Sequence, residues 1–277
     1  MKILLTGAGG NFGREFIKQA DFEVAQLNRG DWDDLDNKLS QNIGVVVHAA
    51  SDLHTQASIS PVSLINSNLV STTTLLESVQ KYQIPRFIFL SSCAVYGEDM
   101  HTNEDNQCCP VSINGISKLL NEKLIAEFCS AHGIKYEILR IFNMYGGQDN
   151  FSIVSRLARA LKASTPFTLN NMGIAQRDFI HVSDVASVVL KLLENNIPYT
   201  HLNIGTGVAT KISMLVELVV KQFPELSIRH AQTKEAEYSR ADITRLHEFI
   251  DMDFIRIEDH LENHFMKTQL ISCGDLR

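Results

Sequence analysis

The chain has 277 residues, 44% hydrophobic and 21% charged, enough for one large α/β domain or such a domain with a smaller lobe. A formal net charge of −7, with no run of like charge, argues against a broad electrostatic footprint for nucleic acid or anionic lipid. The five cysteines (Cys93, Cys108, Cys109, Cys129, Cys273) lack Cys-x-x-Cys spacing and no histidine pair has ligand spacing, so reduced thiols and no metal are expected.

The amino-terminal "MKILLTGAGG" carries an apolar run too short for a signal-peptide core or a bilayer span, so a cytoplasmic protein is expected. Within it, "LLTGAGGNFG" sets Gly7, Gly10 and Gly13 at three-residue intervals between a strand and a helix. Such glycines permit a tight turn, a close approach of backbone to a pyrophosphate, and close helix–strand packing. Free amides at the helix start, at Asn11 and Phe12, complete an anion cradle. Strand-then-helix context makes the trio a dinucleotide-binding signal. The second strand ends "QLNRGDWDD": Asn28 stands where NAD sites usually place an acid, and Arg29 follows, which suits the 2′-phosphate of NADP. Asp31 is a candidate partner for the adenine amine.

Further along, "KILLT", "EVAQLN", "GVVVHAA", "RFIFLSS", "YEILRIF" and "THLNIGT" read as strands separated by helical segments such as "NSNLVSTTTLLESVQKY". Their hydrophobicity is continuous rather than alternating, which implies burial on both faces of a parallel sheet. The pattern is an α/β, Rossmann-type doubly wound sheet. After about residue 147 the rhythm changes: a helix in "NFSIVSRLARALKA", a loop through "STPFTLNNMGIAQRDFIHV", and less regular segments from "KISMLVELVVKQF" onward. The expected division is a dinucleotide-binding domain over 1–150, its sheet completed by about 180–205, with 151–179 and 206–277 forming a substrate lobe.

The ordered set "TGAGGNFG", "HAAS", "LSSCAVYG", "NGISK", "LRIFNMYG", "RDFIHVSDVA" and "LNIGTG" resembles the extended short-chain dehydrogenase/reductases, specifically the NAD-dependent epimerase/dehydratase family acting on nucleotide sugars. The resemblance puts Ser92 at the catalytic hydroxyl and Lys118 at the Lys that binds the nicotinamide ribose and lowers the pKa of the general acid/base. It places Ala49 and Ala50 against an NAD(P) cofactor, and Cys93, Asn143 and Arg177 against a nucleotide-linked sugar; Arg240 is a further candidate for a phosphate. Tyr96, Tyr145, Asp184 and Asn203 read as framework. The resemblance also implies a homodimer through the helices "NSNLVSTTTLLESVQKY" and "SKLLNEKLIAEF".

Two departures stand out. Cys93 and Ala94 occupy positions where the dehydratases carry Asp and Glu, which disfavours elimination chemistry. In "SINGISK", Asn114 holds the position of the acid/base Tyr, one helical turn before Lys118. A carboxamide orients a carbonyl but cannot exchange a proton near neutral pH. Three explanations compete: a natural binder that has lost catalysis, a catalyst using Cys93 or a bound water, or a deliberate variant of an active parent. The expected function is an NAD(P)-dependent epimerase or 4-keto reductase impaired at Asn114, or else a non-catalytic NAD(P)-binding subunit or sensor.

Overall fold

A computed structural model describes residues 2–40, 42–52, 61–98, 102–233 and 235–263. Its strands in chain order are β1 (Ile3–Thr6), β2 (Val24–Leu27), β3 (Val45–His48), β4 (Arg86–Ser92), β5 (Lys135–Ile141), β6 (Asn143–Tyr145), β7 (Phe167–Asn170), β8 (Gln176–His181), β9 (His201–Ile204), β10 (Ala209–Lys211), β11 (Ile228–Ala231) and β12 (Tyr238–Ser239). The helices are α1 (Asn11–Gln19), α2 (Leu35–Leu39), α3 (Pro61–Leu64), α4 (Ser71–Lys81), α5 (Ile113–His132), α6 (Ile153–Lys162), α7 (Val182–Glu194), α8 (Ile212–Gln222), α9 (Thr244–His247) and α10 (Ile257–Asn263), with a π-helical turn over Ile65–Val70 leading into α4.

Six of the strands form a parallel sheet in the order β2-β1-β3-β4-β5-β9. Side-chain alternation explains the unbroken apolar runs of β1, β3 and β4. Ile3, Leu5, Val45, Val47, Ile88 and Leu90 pack on the face covered by Phe16 of α1 and by α7. Leu4, Val46, Phe87 and Phe89 pack on the other, against Leu75, Val79 and Ile125. Each such fully buried side chain contributes about 1.5–3 kcal/mol, so both faces are held by the hydrophobic effect.

A third apolar cluster gathers Val154, Leu157, Phe167, Phe179, Leu215 and Leu261. Here the sequence expectation needs correcting. The segment read as a loop over 164–182 contains all of β7 and β8, and β8 is central to a second sheet: β6 and β12 pair with it in parallel and β10 antiparallel, while β7 pairs with β11. These strands have short apolar runs of their own and exist because distant segments pair with them, which local periodicity cannot report.

Candidate active site

The chain order reverses between β1 and β3, and in open α/β sheets the crevice at the carboxyl ends of such a pair is where ligands bind. The glycine turn follows β1, and Ala49 and Ala50 follow β3. Gly10 is the N-cap of α1. A Cβ on Gly13 would collide with the Gly7 and Ala8 carbonyl oxygens, so only glycine lets α1 sit this close to the strand end. Beside the turn lies a cleft of about 1320 Å³ lined by Gly7, Gly9, Gly10, Asn28, Arg29 and Ala50, among others. An open cleft beside a helix N-terminus, with no side chain on the turn to fill it, fits a dinucleotide.

Details differ from the sequence reading. The Asn28 Oδ1 accepts the Gly9 N–H at 2.7 Å, so this side chain braces the glycine turn. The Asp31 carboxylate accepts the Asn28 N–H at 2.9 Å and is not among the groups lining the cleft. The exposed Arg29 donates to Asp52 at 2.6 Å. Asn11 turns its carboxamide away from the cleft, donating to the Gly146 carbonyl at 2.9 Å and accepting from the Gln148 N–H at 2.7 Å. Phe12 is buried in the core, leaving only backbone amides of this pair for an anion.

A second pocket of about 480 Å³ is where the expected chemistry converges: Ser92, Cys93, Asn114, Lys118, Asn143 and Arg177 all line it, and so does Ala49. Ser92 ends β4, and its Oγ accepts the Ala94 N–H at 3.2 Å, which leaves its proton free to point elsewhere. Asn114 sits in the first turn of α5, which begins where the Ser112 Oγ accepts the Gly115 N–H at 3.1 Å. A Cβ at Gly115 would strike the Ala94 carbonyl, so this glycine lets α5 touch the turn after β4 and bring Asn114 beside Cys93. The Asn114 Oδ1 is buried without a hydrogen-bond partner.

One turn on, Lys118 is 5% exposed. Its Nζ donates to the Leu90 carbonyl at 2.7 Å and lies 4.7 Å from the Phe89 ring centre. Burial pulls its pKa down from 10.5 to about 8, against an upward pull from Glu122. Burial pushes the Cys93 thiol up to about 11, which makes it a poor proton-exchanging group near neutral pH. Asn143 donates to the Asp178 carbonyl at 2.9 Å, and Arg177 already pairs with Glu235 at 3.4 Å and with the Ala236 carbonyl. Arg240 is exposed and lines neither cleft; its carbonyl accepts from Thr102.

The tyrosines read as framework serve as framework. Tyr96 and Tyr145 are fully buried, their hydroxyls donating to Asn203 Oδ1 at 2.7 Å and to the Ile255 carbonyl at 3.0 Å. Arg140 donates to Tyr96 at 3.0 Å and to Glu122 at 2.9 Å beneath the pocket, with Ser91 also on Glu122. Asp184 accepts the Ile255 N–H at 2.8 Å.

One central residue escaped the sequence reading. Asn68, in the π-helical turn, is 2% exposed; it accepts the Asp52 N–H at 2.7 Å and donates to Ser117 at 3.2 Å, joining the cofactor side to the helix of Lys118. A polar residue on the buried stripe of "NSNLVSTT" was the available signal. Phe151, Arg156, Ile212 and Glu235 also line the second pocket, and no local pattern marks them. Among the described residues no group of three His, Cys, Asp or Glu could hold a metal, and no helix is long and apolar enough to cross a membrane.

Comparison with known proteins agrees with this geometry. A Methanocaldococcus jannaschii protein provisionally described as a UDP-glucose 4-epimerase is 33% identical over 198 residues, 67% of this chain and 63% of its own length. The first two relatives are each matched over less than two thirds of their length. Among solved structures, MoeE5 with UDP-glucuronic acid and NAD superposes with a TM-score of 0.87 over 98% of this chain and 100% of its own, at 24% identity. A Tyr-to-Phe variant of UDP-glucuronic acid 4-epimerase from Bacillus cereus, in complex with UDP-4-deoxy-4-fluoro-glucuronic acid and NAD, gives 0.84 over 98% and 100%, at 25% identity. The model of the NAD dependent epimerase/dehydratase family matches residues 3–205, which carry the glycine turn, Ser92, Asn114, Lys118 and Arg177, and the chain belongs to that family.

Proposed function

We propose that this chain binds NAD(P) in the cleft beside the glycine turn and a nucleotide-linked sugar in the adjoining pocket, as an epimerase or 4-keto reductase slowed by Asn114. Residues 1–150 with 180–205 are assigned to the cofactor, and 151–179 with 206–277 to the sugar nucleotide. The observation that carries the reading is the convergence of Ser92, Asn114 and Lys118 on one pocket next to the dinucleotide cleft. When bound, the nicotinamide supplies a hydride acceptor or donor for a sugar carbon. Ser92 donates a hydrogen bond to the sugar oxygen, and the Lys118 ammonium supplies positive potential where charge develops. Asn114 offers a donor and an unpaired acceptor to the same oxygen or to a water, but holds no proton to exchange.

The Arg29 guanidinium that suggested NADP is engaged by Asp52, so a 2′-phosphate would have to displace a carboxylate; this moves the balance toward NAD. Val70, Ile113, Ile116 and Leu120 expose 44–50% of their surface on neighbouring helices, and the last three recur along one stripe, as a second copy of the chain would require. Calorimetric titration with NAD, NADP and UDP-sugars tests the reading directly. Net consumption of reduced cofactor identifies a reductase, and turnover with catalytic cofactor an epimerase. The second reading, a sensor that binds both ligands without turnover, is favoured by Asn114 alone, whose carboxamide cannot act as an acid or base near neutral pH. Failure to bind any dinucleotide would end both.

A further inference from the structure

The side chain of Asn11 begins at the helix that receives the pyrophosphate yet spends both of its polar atoms on residues 135 and 137 positions away: its Nδ2 on the Gly146 carbonyl, its Oδ1 on the Gln148 N–H. The loop it grips is shaped to meet it. Gly146 and Gly147 both have positive φ, and a Cβ on Gly147 would lie 2.5 Å from the Asn11 Oδ1, so only glycine lets the two segments approach.

Next along the chain, Asp149 is 8% exposed and fastens this loop to the start of α6. Its carboxylate accepts the N–H groups of Gly146, Phe151 and Ser152 at 3.2, 3.0 and 2.7 Å, and the Ser152 and Ser155 hydroxyls at 2.9 Å each. Phe151, Ser152, Ile153 and Arg156 line the sugar-side pocket. An unbroken set of hydrogen bonds therefore runs from the cofactor turn, through Asn11 and Asp149, to the wall of the other pocket.

Resting on the functional reading above, we infer that Asn11 is a positioning residue coupling the two ligands: an anion held by the amides at the start of α1 fixes Asn11, which fixes residues 146–152 and so prepares the sugar-nucleotide pocket. Ordering a shared element once, for the benefit of both ligands, gives positive cooperativity without any large displacement. The coupling is reciprocal, so the sugar nucleotide tightens the dinucleotide by the same factor.

The test compares the Kd for UDP-glucose with and without saturating NAD, by calorimetry, in the wild type, Asn11→Ala and Asn11→Asp. NAD is expected to tighten UDP-glucose about tenfold in the wild type, within the usual range for coupled sites, and less than about twofold in N11A. N11D keeps the acceptor for Gln148 and loses the donor to Gly146, so it falls between. Hydrogen exchange of the unliganded proteins supplies a separate readout: the amides of Gly146, Gln148, Phe151 and Ser152 exchange faster in N11A, with the β4 and β5 amides unchanged. Equal coupling in wild type and N11A, or no coupling in the wild type although both ligands bind, overturns the strut while leaving the functional reading intact. A wild type that binds neither ligand overturns the functional reading and the strut together.

Discussion

The two halves of the candidate site are built from different materials. The proposed dinucleotide cleft includes a turn of backbone amides between β1 and α1 whose shape depends on side chains that are absent, with Asn28, Arg29, Trp32 and residues from the 62–74 segment also lining it. The proposed sugar-side pocket is assembled from side chains at the ends of β4 and β5, along β6 and β8, and near the starts of α5 and α6, and its chemistry depends on which side chains are present. The turn of the first is set by its glycines and braced by the Asn28 side chain. The second can keep its shape while a single side chain at a position such as Asn114 sets whether a proton can be exchanged there.

The largest effect that bears on this contrast is expected from Asn114→Tyr. A phenol beside Lys118 restores a proton that can be exchanged, and turnover is expected to rise about 10²–10⁴-fold, measured as sugar interconversion or cofactor oxidation, with dinucleotide affinity little changed. Robust turnover by the unmodified chain would overturn the role given to Asn114.

Lys118→Met comes next and is read by stability. In the folded chain Lys118 releases its proton near pH 8, and in the unfolded chain near 10.5. Between these values the unfolded state binds more protons, so this group makes wild-type stability rise with pH across that window, and its penalty is fully felt below it. K118M lacks this contribution. Its stability relative to wild type, from urea unfolding, is expected to fall by up to roughly 3 kcal/mol between pH 7 and 10.5. A difference independent of pH would show that the buried amine is not perturbed.

Gly13→Ala probes the other half. Its methyl group meets two backbone carbonyls that have no room to move, so unfolding stability drops by about 1–3 kcal/mol and dinucleotide affinity falls with it. Stability and affinity both retained would mean the turn is more yielding than its geometry implies. The smallest effect is expected from Arg29→Ala: with the side chain 84% exposed and paired at the surface, stability changes by less than about 1 kcal/mol. The ratio of NAD to NADP affinity in this variant shows whether Arg29 selects the cofactor at all.

Much of the frame was legible from the chain alone. All six strands of the main sheet stand where the sequence reading placed them, most plainly β1, β3 and β4, where burial on both faces writes an unbroken apolar signal into the segment. Ser92, Asn114 and Lys118 were legible through spacing and resemblance, and they do share a pocket. What failed was local inference about non-local partners. The strands β7 and β8 were hidden in an expected loop because their partners come from residues as distant as 228–231 and 209–211. Arg29 read as a free cation because nothing in "QLNRGD" announces Asp52. Asn68 passed as one more polar residue on a helix.

The sequence by itself determined the doubly wound sheet, the glycine turn after its first strand and the absence of a phenol at residue 114, since each is a property of a short segment: a period, a missing Cβ, a missing proton. Only the tertiary structure decided that Asn11 reaches Gly146, that Arg29 meets Asp52, and that Phe151 and Glu235 stand around the sugar-side pocket. The two hydrogen-bonded pairs join residues 135 and 23 positions apart, and the chain must fold before either partner has the other within hydrogen-bonding range.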